Sequence, residues 1–279
     1  MSEHGVLIVG RGRVGRALSA GLQAAGVEAT LARGHAATFA ATPGSVVVLA
    51  VPDPRIGAVA ARLAASVGPG NVVLHCAGAV GVEALAACAA RGAATGVMHP
   101  LVSFASARHA PPLVKTTWVV GGDPRAVRVA RRLAQACEAR VLRAAVHGAA
   151  YHATAAMLAN GAAALAHEAV EALVVLGIGR RAAERATAAL LATVAHNVAE
   201  VGVPRALTGP IVRGDAETVS RHREALAALG GRTSFAYDAI APVVLRAAID
   251  AGLDRAAARR LARVLKSRAA ESPRRRRRS

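Results

Sequence analysis

The sequence predicts an α/β fold in two parts: an amino-terminal parallel sheet covered by helices, then an all-α carboxy-terminal domain. Three observations carry this reading. A short apolar run, Val6-Leu7-Ile8-Val9, leads straight into a G-x-G-x-x-G turn, Gly10-Arg11-Gly12-Arg13-Val14-Gly15. Strand-like and helix-like segments then alternate as far as Leu142, the pattern of a parallel sheet with helices on both faces. From about His147 the strand signals stop and only helical periodicity remains. The expected boundaries are 1–146 for a dinucleotide-binding domain, 147–270 for a helical domain, and 271–279 for an arginine-rich tail without fixed structure.

The first strand, turn and helix form the context in which this glycine motif means dinucleotide binding. Gly10 allows a tight turn, Gly12 lets the backbone approach a pyrophosphate, and Gly15 lets the helix pack on the strand. Val14, Leu18 and Leu22 recur at helical spacing behind the turn. The free N–H groups and dipole of the helix start favour phosphate there. A tight strand-to-helix turn with no ligand is the alternative.

Val27 to Leu31 reads as the second strand, and the residues after it bear on the cofactor. A site that takes NAD puts Asp or Glu there to bond the ribose 2′-hydroxyl. This chain has Ala32-Arg33-Gly34-His35. Arg33 suits a 2′-phosphate, so NADP(H) is expected over NAD(H); a plain surface arginine is the alternative. The buried run Val46 to Val51 ends at Pro52-Asp53-Pro54, and Ile56, Val59 and Leu63 follow at helical spacing. Val72-Val73-Leu74 closes at His75-Cys76-Ala77-Gly78, and a helix runs through Val82 and Leu85. Gly96-Val97-Met98 ends at His99-Pro100. Trp118-Val119-Val120, a helix from Pro124 to about Ala136, and Arg140-Val141-Leu142 complete the sheet. Sheets of this kind bind ligands beyond the carboxyl ends of their strands, where Pro52, Cys76 to Gly78 and His99 lie.

The helical half begins with an alanine-rich stretch, Ala149 to Leu176, broken at Gly177-Ile178-Gly179. Helices are expected at about Ala182–Val201, Ala216–Leu229, Phe235–Ala251 and Arg255–Ser267, with Asp215 as an N-cap for the second of these. A nucleotide-binding half followed by a helical half places a substrate cleft between them.

The formal charge is +18, nearly all of it arginine, because Lys115 and Lys266 are the only lysines. Removing the terminal run Arg274–Arg278 leaves +13. Aromatic residues make up only 2% of the chain. A nucleic-acid partner is therefore not expected: there is little to stack on bases and no basic helix or finger motif. Cys76, Cys88 and Cys137 lack metal-ligand spacing, which points to a reduced, cytoplasmic setting. No signal peptide is expected. His152, Asn160, His167, Glu168 and Glu171 interrupt the most apolar segment and argue against a membrane span. No metal site and no serine-hydrolase elbow is expected.

Several stretches together resemble a family of Rossmann-like proteins whose carboxy-terminal half is a domain of unknown function, DUF2520. They are the glycine turn, Met98-His99-Pro100-Leu101-Val102-Ser103-Phe104, Tyr151-His152-Ala153 with Asn160, and Leu207-Thr208-Gly209-Pro210 with Arg213-Gly214-Asp215. Thr218-Val219 and His222 extend the last. That family is similar to the 6-phosphogluconate dehydrogenase superfamily. The resemblance implies NADPH-dependent reduction of a small 2-keto acid, ketopantoate to pantoate first among them, by a homodimer joined through the helical domain. An NADP(H)-binding sensor without turnover is the alternative.

Ketone reduction needs a hydride donor, a proton donor at the carbonyl oxygen and a cation for the carboxylate. Many relatives use a lysine early in the interdomain helix; this chain has none there. His152 stands in that place and can donate a proton near neutrality, with a capping or packing role as its alternative. Asn160, just over two turns on, can hold the carbonyl or carboxylate, or bridge two helices. His99, in a His-Pro pair similar to that of prephenate dehydrogenases, is the third catalytic candidate; a structural histidine is its rival. Arg213 is the candidate carboxylate clamp, unless it pairs with Asp215. The resemblance brings Asn197, Thr208 and His222 to the same substrate site. The cofactor would be held by Gly10, Arg11, Gly12, Arg13, Val14, Gly15, Arg33, Val51 and Pro52.

Overall fold

The computed structural model describes residues 5–35, 41–106, 113–144 and 147–267; the arginine run 274–278 lies outside them. The chain divides into two compact units, Met1–Ala159 and Asn160–Ser279.

The described residues of the first unit hold a seven-stranded sheet in the order β2-β1-β3-β4-β5-β6-β7. Its strands are β1 (Val6–Val9), β2 (Ala29–Ala32), β3 (Val46–Leu49), β4 (Val72–His75), β5 (Ala94–Pro100), β6 (Thr117–Gly122) and β7 (Arg140–Arg143). Its helices are α1 (Arg13–Ala24), α2 (Ile56–Leu63), the short α3 (Ala86–Ala89) and α4 (Pro124–Ala136). Residues alternate between the two faces, as a pleated strand requires. Val46 and Val48 of β3 join Ile8, Leu18, Leu22, Trp118 and Leu133 in one core. Val47 and Leu49 join Ile56, Val59, Leu63 and Leu85 in the other. Each such side chain, removed fully from water, contributes about 1.5–3 kcal/mol, which is what holds the helices to both faces.

Among the described residues all pairings are parallel except one: β6 runs antiparallel to β5, with His99 opposite Val119. The physical reason is the connection. A parallel return needs a crossover, usually a helix, and the described residues between β5 and β6 contain none. β6 and β7, joined by α4, are parallel to each other. β2 begins two residues later than the apolar run suggests, because Val27 bonds back to Leu22 in the exit from α1.

The all-α part comprises α5 (Ala149–Val175), α6 (Arg180–Val201), α7 (Ala216–Leu229), α8 (Gly231–Asp250) and α9 (Arg255–Lys266), with the division into units falling within α5. α8 starts four residues before the expected Phe235, because Gly230 alone, at φ 135°, makes the break. The core of the second unit gathers Ile211, Val219, Ala241, Leu245, Ala248 and Leu261. Arg223, 6% exposed, ties three of its helices together. It grips both carboxylate oxygens of Asp238 at 2.7 and 3.1 Å and donates to the Val264 and Ser267 carbonyls. By length and composition α5 is apolar enough to cross a membrane. Its Glu168 and Glu171 are paired with Arg232 and Arg180, each at 2.9 Å.

Candidate functional site

β1 delivers the chain to Gly10, whose φ of 127° suits glycine and whose added Cβ would lie 2.2 Å from the Ala50 oxygen. A Cβ on Gly15 would lie 1.9 Å from the Gly10 oxygen. These two glycines let turn, helix and β3 close on one another. Gly12 differs: a Cβ there meets nothing within 4 Å. It is the N-cap of α1 with no side-chain cap, so the first N–H groups of the helix face an open side. A cavity of about 190 Å³ opens at this turn, lined by Gly10, Arg11, Gly12, Val51 and Pro52 among the expected cofactor residues. The open cradle and its guanidinium fit a pyrophosphate-bearing dinucleotide.

Gly34, His35, Ala50 and Arg55 also line that cavity and were not anticipated. The available signal was position: Arg55 follows Pro52-Asp53-Pro54 at a strand exit, and His35 lies two residues beyond Arg33. Four expected residues do not line it. Arg13 donates to the Phe104 oxygen at 2.6 Å, Val14 packs half-buried against the core, Gly15 is buried beneath the turn, and Arg33 is exposed. A larger cavity, about 750 Å³, lies at the amino ends of β1, β3 and β4 beside Arg125, Arg128 and Arg132. Open α/β sheets bind at the opposite end, so position rather than size selects the glycine turn.

The second group of polar residues gathers at the ends of β4 and β5, adjacent strands in the sheet. His75 is fully buried; its Nδ1 accepts the Ala77 N–H at 3.2 Å and its Nε2 donates to the Gly81 oxygen at 3.0 Å. The ring thereby clamps the loop that carries Gly78. A Cβ on Gly78 would lie 2.9 Å from Cε1 and Nε2 of His99 and 3.2 Å from Nδ1 of His152. The Gly78 oxygen accepts the Gly148 N–H at 3.0 Å, fixing the loop to the start of α5. α5 then presents Tyr151 and His152. The Tyr151 hydroxyl lies 2.8 Å from Nδ1 of His99, and the His99 and His152 rings are 6.3 Å apart. His147, bonded to the Val119 oxygen, stands edge-on to Tyr151 at 5.4 Å.

Burial pushes His99 down to about 4, with repulsion from His147, His152 and His75 adding to it. It is a neutral ring at physiological pH. Burial also lowers His75 and His147 and raises Tyr151. The structure thus brings His99 and His152 together and adds Tyr151, which the sequence offered only as a neighbour of His152. The cysteines are buried and unpaired, and desolvation pushes Cys76 up to about 12, far from a reactive thiolate. Among the described residues no group of three or more potential ligands is placed to hold a metal.

The remaining expected residues belong to the second unit. Asn160 on α5 and Asn197 on α6 are exposed on separate helices. Thr208 and Arg213 share the segment before α7, where Gly209 and Gly214 take φ of 103° and 76°. The Arg213 N–H donates to the Gly209 oxygen at 3.2 Å. Asp215 caps α7 by accepting the Thr218 N–H at 2.9 Å, and Arg213 has no ion pair among the described residues. His222 lies 3.3 Å from the Tyr237 hydroxyl.

Residues 2–100 match the family described as a Rossmann-like domain, and residues 116–243 match the domain of unknown function DUF2520. No curated protein matches the sequence. Among solved structures, protein TM1727 from Thermotoga maritima is similar at 23% identity and a TM-score of 0.65, over 88% of this chain and 99% of that one. The imine reductase of Streptomyces aurantiacus aligns at 16% identity and 0.59, over 95% and 100%. The pyrroline carboxylate reductase of Plasmodium falciparum, with NADP bound, aligns at 12% and 0.57, over 96% and 100%. The chain is thus similar to a Rossmann-like domain over residues 2–100 and to the DUF2520 domain over residues 116–243.

Proposed function

We propose that this protein is an NADPH-dependent reductase of a small 2-keto acid, with ketopantoate, giving pantoate, as the first substrate to test. One observation carries the reading: a single sheet presents both a pyrophosphate cradle at Gly10–Gly15 and a neutral histidine beside Tyr151 and His152 at its carboxyl ends. The likeness in fold to an imine reductase and to an NADP-bound pyrroline carboxylate reductase supports it. Bound there, the nicotinamide supplies hydride to a carbonyl carbon.

In this reading Gly10, Gly12, Gly15 and the start of α1 hold the pyrophosphate, with Arg11, Arg13, Val14, Val51 and Pro52 around it. Arg33, together with His35 and Arg55 of the turn cavity, meets the 2′-phosphate. His99 and His152 handle the carbonyl oxygen. Arg213 grips the carboxylate, and Asn160, Asn197, Thr208 and His222 orient the substrate. Residues 1–146 serve the cofactor, and residues 147–270 serve the substrate and dimerisation.

The homodimer rests on the helices. α5 buries Val170 alone, while Met157, Leu158 and Val175 on it and Leu190, Val194 and Val198 on α6 are exposed. Helices this apolar gain stability by covering such surface, and a second copy covers it. Sedimentation should show twice the chain mass.

The decisive measurement is loss of reduced-nicotinamide absorbance with ketopantoate and a panel of keto acids. Turnover with NADPH and tighter binding of NADPH than NADH are expected, and Arg33→Ala narrows that gap. The helix carries no lysine, the feature that favours a sensor. NADPH binding without turnover of any keto acid would establish the sensor and end the reductase reading.

A further inference from the structure

We propose that Tyr151 and His99 form a proton relay, in which the Tyr151 phenol protonates Nδ1 of His99 as the Nε2 proton of the same ring passes to the substrate oxygen. The proposal rests on the reductase reading and extends it, since it assigns the source of the proton.

The geometry is specific. The Tyr151 hydroxyl and Nδ1 of His99 are 2.8 Å apart, a full hydrogen bond. Among the described residues the phenol has no other partner, so its proton has one protein acceptor, Nδ1. With the phenol as donor in that bond, the ring proton sits on Nε2, since a neutral imidazole carries only one. Nε2 has no partner among the described residues; it faces the space over Gly78 that a side chain there would fill. The glycine keeps that nitrogen reachable, and the His75 clamp on residues 77–81 keeps the glycine in place.

The charge balance decides between two ways of donating a proton. A cationic His99 is scarce at neutral pH, because burial and the neighbouring His147, His152 and His75 hold it at about 4. The neutral ring has no such limit. Hydride arriving at a carbonyl carbon leaves an alkoxide. The Nε2–H bond breaks and the alcohol O–H forms; the Tyr151 O–H breaks and Nδ1–H forms. The ring leaves the step neutral, as the other tautomer. Tyrosinate then recovers its proton from water, and nothing beyond the nicotinamide hydride is oxidised. Tyrosine ordinarily titrates near 10, below a simple alkoxide, so the transfer runs toward product even though burial raises Tyr151.

The test has two arms on the full chain. Long-range nitrogen–proton NMR of the ligand-free protein at pH 7 should show His99 protonated at Nε2, and Tyr151→Phe should turn it into a mixture of tautomers. With NADPH and ketopantoate, Tyr151→Phe should lower kcat by about 100-fold, the scale of general-acid catalysis, while KM changes by less than about threefold. His152→Gln should do less to kcat. A ring protonated at Nδ1 in the native protein, or unchanged kcat in Tyr151→Phe, overturns the relay. Should no keto acid be reduced, the reductase reading fails by itself. The NMR arm then upholds the Tyr151–His99 coupling or, if the tautomer ignores Tyr151→Phe, removes it.

Discussion

Gly78 sits so close to His99 that a β-carbon on it would come within 2.9 Å of the imidazole Nε2. Gly78→Ala should therefore displace the His99 and His152 rings. Overpacking of this kind costs about 1–3 kcal/mol, which thermal unfolding reads directly. Keto-acid reduction should fall well beyond what that loss of stability explains, with NADPH affinity unchanged, because the glycine turn is untouched.

The three motif glycines should separate cleanly. Gly12→Ala adds a methyl into open space and should leave the melting temperature unaltered while weakening NADPH by at least about tenfold, or 1.4 kcal/mol. Gly10→Ala and Gly15→Ala instead meet backbone oxygens and should destabilise the fold itself. Calorimetric titration beside thermal melts distinguishes the two outcomes.

Acid should destabilise the protein earlier than its carboxylates would. His99 ordinarily titrates near 6.5 and in the folded chain near 4, with His75 and His147 lowered as well. Between those values the unfolded chain binds more protons, so unfolding free energy rises with pH across the window and levels off above it. His99 alone accounts for about 3 kcal/mol at most. Urea midpoints measured from pH 7 down to 4 should fall, and His99→Gln should flatten the curve.

Arg223→Ala leaves Asp238 without its guanidinium and takes one donor from each of the Val264 and Ser267 carbonyls. A broken buried pair costs about 3–5 kcal/mol; Asp238 is 32% exposed, which places this one at the lower end. Arg223→Lys should recover only part, since an ammonium cannot match the fork. Denaturant unfolding provides the measurement.

Local chemistry wrote much of this architecture into the chain. Val6–Val9 before Gly10, the buried apolar run through Val46–Leu49 and the cap at Asp215 are short-range signals, and each appears in the structure as read. The reversal at β6 was not legible, because direction depends on the path of the connection rather than on the strand's own residues. The pairing of Tyr151 with His99 spans 52 residues and depends on where α5 starts relative to β5. Likewise the contact of Gly78 with two rings is a matter of packing, and nothing in a glycine's neighbours announces it.

The outermost strand of the sheet, β7, carries Arg140 and Arg143 on an exposed margin. Two such margins laid side by side would bring guanidinium against guanidinium along unpaired peptide groups, the usual defence of a sheet border against its own kind. Growth of the sheet into a continuous intermolecular ribbon is thereby disfavoured on that flank.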